Sequence, residues 1–393
     1  MAIDTPTPDF YDYPWSPLAS VGVDGSFLML TWPDGVRYQA FDLWLRENAV
    51  DAGGVDLATR EGIMDPAHHV DGPAVVAASV NSDGALEVTW APDDTAATYH
   101  PGWLRHVADN QHRPSSFIPD PVVWTSDLAE PPTYDGSAIL NDHGLLREWA
   151  TDLLRHGIAR LRNAPTTDDF LLELVTKIGP VRHTNFGPIW DVKADIAMAG
   201  DDLTNSTANS TLRLPPHTDL PTRETPPGFQ FLHCLVNDAE GGYSTMADGA
   251  AVAAHIAEHH PDHYEALTTL NWVFFNRGPN IDHRWSGPMI DLGVAGSPLT
   301  CRAFHPVRAF PDMDQADMPR AYAAIKCFST IAADQRFQLS YPFAPGDVVG
   351  FDNRRILHGR DSFSAGGTRH LRGTYIDQDE VRSFVRVAAR RTA

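Results

Sequence analysis

Apolar and polar positions alternate with a period of two in several short stretches near the start of the chain. Phe27-Leu28-Met29-Leu30-Thr31-Trp32, the turn residues Pro33-Asp34-Gly35 and Val36-Arg37-Tyr38-Gln39-Ala40-Phe41 together predict a β-hairpin. Leu86-Glu87-Val88-Thr89-Trp90, after Asp83-Gly84, predicts a further strand. Residues 23–108 therefore read as a small β-rich domain. Residues 1–22 read as an irregular lead-in, because Pro6, Pro8, Pro14 and Pro17 block regular structure. Residues 109–135, with prolines and acidic residues concentrated between Arg113 and Tyr134, are expected as a linker. The period then lengthens. Leu145, Leu146, Trp149, Leu153, Leu154 and Ile158 follow helical spacing from about Asp142. A second helix is expected from Thr167, whose hydroxyl would cap it, through Phe170, Leu171, Leu174, Val175 and Ile178 to Gly179-Pro180. Beyond His183, strand-like runs (Phe229 to Leu235, Leu270 to Phe275) alternate with helical ones (Ala250 to His259, Asp262 to Thr269 split off by Pro261, Met318 to Ala333). A long region dominated by strands with helices at its side predicts a mainly β, α+β architecture: a double-stranded β-helix, or jelly roll, over residues 136–393.

Composition narrows the function classes. A hydrophobic fraction of 42% with ten tryptophans supports a large packed core. No run of 18 or more apolar residues occurs, so no membrane span is expected, and Met1 to Pro17 lacks the basic and apolar regions of a secretory signal. The formal charge of −21 argues against nucleic acid as a partner. Cys234, Cys301 and Cys327 are scattered and odd in number, which points to small core residues in a reducing cytoplasm rather than to a disulfide framework.

The chemistry-bearing stretch is Leu214-Pro215-Pro216-His217-Thr218-Asp219-Leu220. In an extended strand His217 and Asp219 project from one face, offering an imidazole and a carboxylate to a divalent cation. A bare His-x-Asp fits a solvated loop or a satisfied core equally well. A third ligand would have to come from elsewhere, and His358 is the candidate. Two histidines and one carboxylate on one face of a metal, with the other face open, is the arrangement of non-haem iron(II) oxygenases.

Further matching stretches surround this one. They are Phe41 to Asn48 (FDLWLREN), Asn185 to Val192 (NFGPIWDV), Pro226-Pro227-Gly228, Leu232-His233-Cys234, Gly241-Gly242-Tyr243-Ser244, Asp248-Gly249, Phe351 to Arg360 (FDNRRILHGR) and Arg369 to Tyr375 (RHLRGTY). With them the chain resembles the γ-butyrobetaine/trimethyllysine dioxygenases of the taurine-dioxygenase superfamily over residues 41–375. The resemblance implies a jelly-roll oxygenase domain, a small N-terminal domain, iron(II), 2-oxoglutarate and O2, a small-molecule substrate and a homodimer. His217, Asp219 and His358 match the iron ligands. Arg369, eleven residues after His358, matches the arginine that holds the distal carboxylate of 2-oxoglutarate, and Ser244 matches a hydroxyl near the same carboxylate. A permanently charged, forked donor suits that role. Iron halogenases of the superfamily resemble this layout with a small residue in place of the carboxylate; Asp219 therefore implies hydroxylation or a related oxidation.

Departures from the family pattern are also legible. Its N-terminal zinc cysteines are replaced by Ala49, Asp51 and Gly54, and the segment after Trp90 carries Asp93, Asp94 and Thr95, so no structural zinc is expected. His68, His69, His100 and His106 are expected at the surface. Phe186, Trp190 and Tyr375 retain aromatic positions of the family's trimethylammonium cage, whereas Asn209 and Leu220 replace two tyrosines. Ser206 and His305 (or Pro306) stand where asparagines meet the substrate carboxylate, with Asn205 or Arg308 as shifted substitutes. The expectation is a small polar metabolite carrying an amine or ammonium group. γ-Butyrobetaine itself is the alternative. A metal-dependent hydrolase and a non-catalytic jelly-roll binding protein are the rivals from other classes.

Overall fold

The computed structural model describes residues 5–68, 74–193, 210–275, 280–293, 299–303, 309–363 and 367–390. They form two compact units, Met1–Ser116 and Phe117–Ala393.

In the first unit the expected hairpin forms, Phe27–Thr31 running antiparallel to Arg37–Phe41 with Phe27 opposite Phe41. It gains a third strand, Ser20–Asp24, from a stretch partly assigned to the irregular lead-in. The prolines counted there all precede this strand, so they do not interrupt it. A second meander comprises Val75–Val80, Leu86–Trp90 and Thr95–Tyr99. The unit also holds two helices within its β-rich frame, Asp42–Glu47 and Pro101–Ala108. Leu28, Leu30, Trp32, Leu86, Val88, Trp90 and Trp103 share one core. His100 corrects the expectation of a purely surface residue. Its Nδ1 accepts hydrogen bonds from the backbone N–H groups of Gly102 and Trp103, capping the second helix.

Two large sheets frame the second unit, which also holds a three-stranded and a two-stranded sheet. One has six strands in the order Thr133–Asp135, Ile158–Arg162, Val348–Asp352, Phe229–Asn237, Arg369–Ile376 and Trp190–Lys193. The other has four, in the order Leu214–His217, Ile356–Arg360, Ser244–Asp248 and Gln338–Tyr341. All neighbours are antiparallel except the first pair of the six. Leu232, Cys234, Val349, Phe351 and Leu371 of the larger sheet join Met246, Leu339, Tyr341 and Ile356 of the smaller in one buried cluster. This is the interior of the jelly roll. The alternate residues Phe229, Phe231, Val348 and Leu161 instead pack under the helices His143–His156, Phe170–Thr176 and Gln378–Arg390. Cys234 and Cys301 are buried and unpaired, Cys327 is partly buried and unpaired.

Helix boundaries follow local chemistry. Asp142 accepts from the Leu145 N–H at 2.9 Å, and Gly157, at φ +71°, stops the helix in the left-handed conformation. The helix expected from Thr167 starts later, at Phe170, with Asp169 in the capping position. Of the expected linker, the part from Phe117 belongs to the second unit. Trp124 is 5% exposed there, and its backbone N–H donates to Asp248.

His233, on the helix-covered face of the larger sheet, is fully buried against the Phe170 ring. Neither ring nitrogen has a hydrogen-bond partner among the described residues. Burial, reinforced by Arg372 and His370, lowers its pKa to about 4. An unfolded histidine titrates near 6.5, so between those values the unfolded chain binds the extra proton and stability falls as pH drops. His233→Leu is expected to shrink the stability difference between pH 8 and pH 5 by up to about 2 kcal/mol, read from urea midpoints. An unchanged difference would assign the acid sensitivity elsewhere.

Candidate active site

The smaller sheet brings His217 and His358 together. They are direct cross-strand partners, with ring centroids 4.2 Å apart. Asp219 completes the group: its Oδ1 lies 3.6 Å from Nε2 of His217 and 3.6 Å from Nε2 of His358. These donor atoms lie within 4.8 Å of one another, the one such cluster of three among the described residues. One detail differs from expectation. The strand ends at His217, and Asp219 sits in the bend beyond it rather than on the same extended segment. Convergence therefore depends on how that bend is held.

Asn353 holds it. Its Oδ1 accepts from the Asp219 N–H at 2.7 Å and its Nδ2 donates to the Asp219 carbonyl at 3.0 Å, a two-point brace on that residue's own backbone. Thr218 is pinned from the other side, its hydroxyl accepting from the Ala303 N–H. Leu220, at φ +51°, takes the strained left-handed conformation that turns the chain away. Next, Arg302 donates to the carbonyls of Pro221, Arg223 and Glu224 while its guanidinium lies 3.4 Å from the Trp285 ring centroid.

Donor orientation and protonation both suit a cation. His217 Nδ1 is 2.9 Å from the Pro215 carbonyl; as the N–H donor there it leaves Nε2 with a free lone pair. Burial, then the neighbouring His217, lowers the His358 pKa to about 3, so this imidazole is neutral. Burial alone would raise the Asp219 carboxyl, but the two imidazoles and the Tyr375 hydroxyl outweigh it and hold it below the usual carboxylate range. Tyr375 donates to Asp219 Oδ2 at 2.7 Å, leaving Oδ1 turned to the histidines. Burial, then Asp219, pushes the Tyr375 pKa well up, so it keeps its proton. Tyr375→Phe removes only this hydroxyl. It is expected to weaken iron(II) affinity by about ten- to a hundredfold in an anaerobic titration, as loss of an outer hydrogen bond to a metal ligand does; unaltered affinity would show that the bond does not matter.

Arg369 and Ser244, expected to act on one carboxylate, are each 4% exposed, on different sheets of the roll. Ser244 pairs across its strand with Arg360. Arg369 Nε has no hydrogen-bond partner among the described residues. Of the expected aromatic positions, Trp190 and Tyr375 meet, with ring centroids 5.4 Å apart. Gly373 makes this possible: a Cβ there would fall 2.3 Å from the Trp190 ring. Phe186 is 37% exposed, in the Thr184–Gly187 turn whose Asn185 accepts from Arg223. Ser206, Asn209 and His305, with Asn205, Pro306 and Arg308, lie outside the described residues.

Asn353, Arg302 and the Tyr375–Asp219 bond were not assigned roles from the sequence. Asn353 stands inside the FDNRR stretch noted above, so that stretch was visible as a match, without its purpose. Arg302 carries no motif; only its partners in space mark it.

Comparison with known proteins adds an independent line. The chain matches the family model for "Taurine catabolism dioxygenase TauD, TfdA family" over residues 125–375. It is 38% identical over 389 residues to the gamma-butyrobetaine dioxygenase of Pseudomonas sp. (strain AK-1), covering 97% of this chain and 99% of that one. The human gamma-butyrobetaine dioxygenase is 27% identical over 384 residues, covering 94% and 96%. The mouse mitochondrial trimethyllysine dioxygenase is 28% identical over 356 residues, covering 88% and 82%.

Proposed function

Since this chain belongs to the TauD, TfdA family of dioxygenases, we propose that it oxidises, in the default outcome hydroxylates, a C–H bond of a small polar metabolite bearing an amine or ammonium group. The observation that carries this reading is the meeting of His217, Asp219 and His358 within 4.8 Å, two imidazole nitrogens and one carboxylate oxygen. That donor set fits iron(II) and leaves part of its coordination sphere for other ligands. Bound iron(II), with 2-oxoglutarate and O2, supplies the oxidant for hydrogen removal, the cosubstrate leaving as succinate and CO2.

The chain's own residues do the rest. Tyr375 and Asn353 hold Asp219 in its orientation. Arg369, buried and with its Nε unpartnered among the described residues, is the residue we assign to the distal carboxylate of 2-oxoglutarate, with Ser244 as the accompanying hydroxyl. Trp190, one ring away from the Tyr375 that touches Asp219, offers a π face to a diffuse cation and walls the reacting carbon from water. Leu220, next in the chain after Asp219, is aliphatic where the resemblance leads one to expect tyrosine, which favours a substrate other than γ-butyrobetaine. The identity to the Pseudomonas enzyme favours γ-butyrobetaine as the second reading.

Incubation with iron(II), 2-oxoglutarate and air should give iron-dependent succinate. A panel of γ-butyrobetaine, trimethyllysine and related small amines should show one member gaining the mass of one oxygen. Oxidation confined to compounds without nitrogen would overturn the substrate class, and absence of succinate under all conditions would overturn the reaction. A homodimer and a reducing, cytoplasmic setting complete the proposal, the latter supported by the three unpaired cysteines. Among the described residues no helix is long and apolar enough to cross a membrane.

A further inference from the structure

We propose that Phe363 is a positioning residue for the cosubstrate: its ring face holds the guanidinium groups of Arg369 and Arg360 side by side and so keeps Arg369 aimed at the distal carboxylate of 2-oxoglutarate. The inference rests on the reading of Arg369 as the anchor of that carboxylate.

Two buried cations share this corner of the jelly roll. Arg360 and Arg369 are each 4% exposed. Two buried guanidinium groups flanking one ring repel each other, with little water to screen them. The Phe363 ring stands beside both, its centroid 4.7 Å from Cζ of Arg360 and 5.8 Å from Cζ of Arg369. Both distances lie inside the range, about 6 Å, over which an aromatic quadrupole attracts a guanidinium, an attraction that grows where water is excluded. The two arginines differ in what else they do. Arg360 donates to the carbonyls of Ser210 and Leu212, just ahead of the strand that carries His217. No comparable bond from the Arg369 guanidinium to a backbone carbonyl occurs among the described residues, which leaves its Nη groups for an anion.

The ring itself is fixed from behind. Gly241 bridges Phe363, the Gly242 N–H donates to the Ser362 carbonyl, and the Phe363 N–H donates to the Thr211 carbonyl. Gly242 sits at φ +67°, and a Cβ there would lie 3.1 Å from Cβ of Phe363 and 3.3 Å from its ring carbons. The turn that leads to Ser244 is therefore pressed against one side of Phe363, with the two arginines beside its ring. Without the ring, like charges and a long flexible side chain would spread Arg369 over several rotamers, and each binding event would have to gather it again.

The test uses the full chain with manganese(II) in place of iron(II), without turnover, and calorimetric titration with 2-oxoglutarate. Phe363→Leu is expected to weaken 2-oxoglutarate binding by about tenfold, while Phe363→Tyr stays close to the unaltered protein. Phenylalanines carrying successive fluorines at position 363, which keep the ring's shape and drain its negative face, should weaken binding step by step. Manganese(II) uptake should stay constant throughout. Equal affinity across the fluorinated series, or an equal loss for Phe363→Leu and Phe363→Tyr, would overturn the proposal, because packing alone would then explain the residue. Arg369→Gln, measured in parallel, separates the two levels of inference. If that variant binds 2-oxoglutarate undiminished, the anchor assignment itself fails; if it loses binding while the Phe363 series does not, only the role of the ring falls.

Discussion

Asp219→Ala is expected to abolish iron-dependent succinate formation. The substitution removes the one anionic donor of the group and leaves His217 and His358 facing each other across 4.2 Å between centroids. It also strands the Tyr375 hydroxyl, whose hydrogen bond to Oδ2 would have no acceptor. Loss of an outer hydrogen bond to a metal ligand costs about ten- to a hundredfold in affinity or activity, so loss of the ligand itself should exceed about a hundredfold in both. Anaerobic titration with iron(II) and a succinate assay measure the two quantities separately. Full iron uptake by the variant would remove Asp219 from the metal site, and undiminished succinate would remove the metal site from the reaction.

The largest stability effect is expected at Asp248, outside the proposed chemistry. Asp248 is fully buried at the end of the strand that begins with Ser244. Its two oxygens accept from Arg355 Nε at 3.0 Å and Nη2 at 2.6 Å, from the Trp124 N–H at 3.1 Å and from the Ala250 N–H at 2.9 Å. The last of these caps the helix Gly249–His259. Arg355 in turn donates to the Val122 carbonyl and immediately precedes the strand Ile356–Arg360 that carries His358. Removing one member of a buried pair leaves the other charged and unpaired, which costs about 3–5 kcal/mol. Asp248→Ala should shift the urea midpoint accordingly, and Asp248→Ala combined with Arg355→Met should recover much of the loss, since the stranded charge is then gone. A double variant no better than the single one would mean that the hydrogen bonds to Trp124 and Ala250, rather than the charge pair, carry the stability.

Much of the fold could be read before any coordinates. The hairpin from Phe27 to Phe41, the start of the helix after Asp142 and the break at Pro261 are all local: side-chain periodicity, caps and a fixed proline φ act within a few residues. Ile158, expected on that helix, instead opens the strand Ile158–Arg162, because Gly157 ends the helix and Phe351 pairs with Ile158 across the sheet. Where the reading slipped, a neighbour distant in sequence had intervened. Ser20–Asp24 becomes a strand because Phe27–Thr31 supplies its hydrogen-bond partners. Trp124, inside a proline-rich stretch, is buried because Asp248 and the carbonyl of His156 receive its two N–H groups.

The same division runs through the site. The chain's linear order already held the His-x-Asp pair, the second histidine and the arginine eleven residues after it, because residue types suited to a cation and an anion are chemical facts independent of folding. Their meeting was not contained in that order. His217 faces His358 through a cross-strand register, and Asp219, past the end of its strand, is brought to them by Asn353 and kept in orientation by Tyr375. Those partners lie 134 and 156 residues away along the chain. Local periodicity has no reach over such separations; only packing one sheet on another sets them.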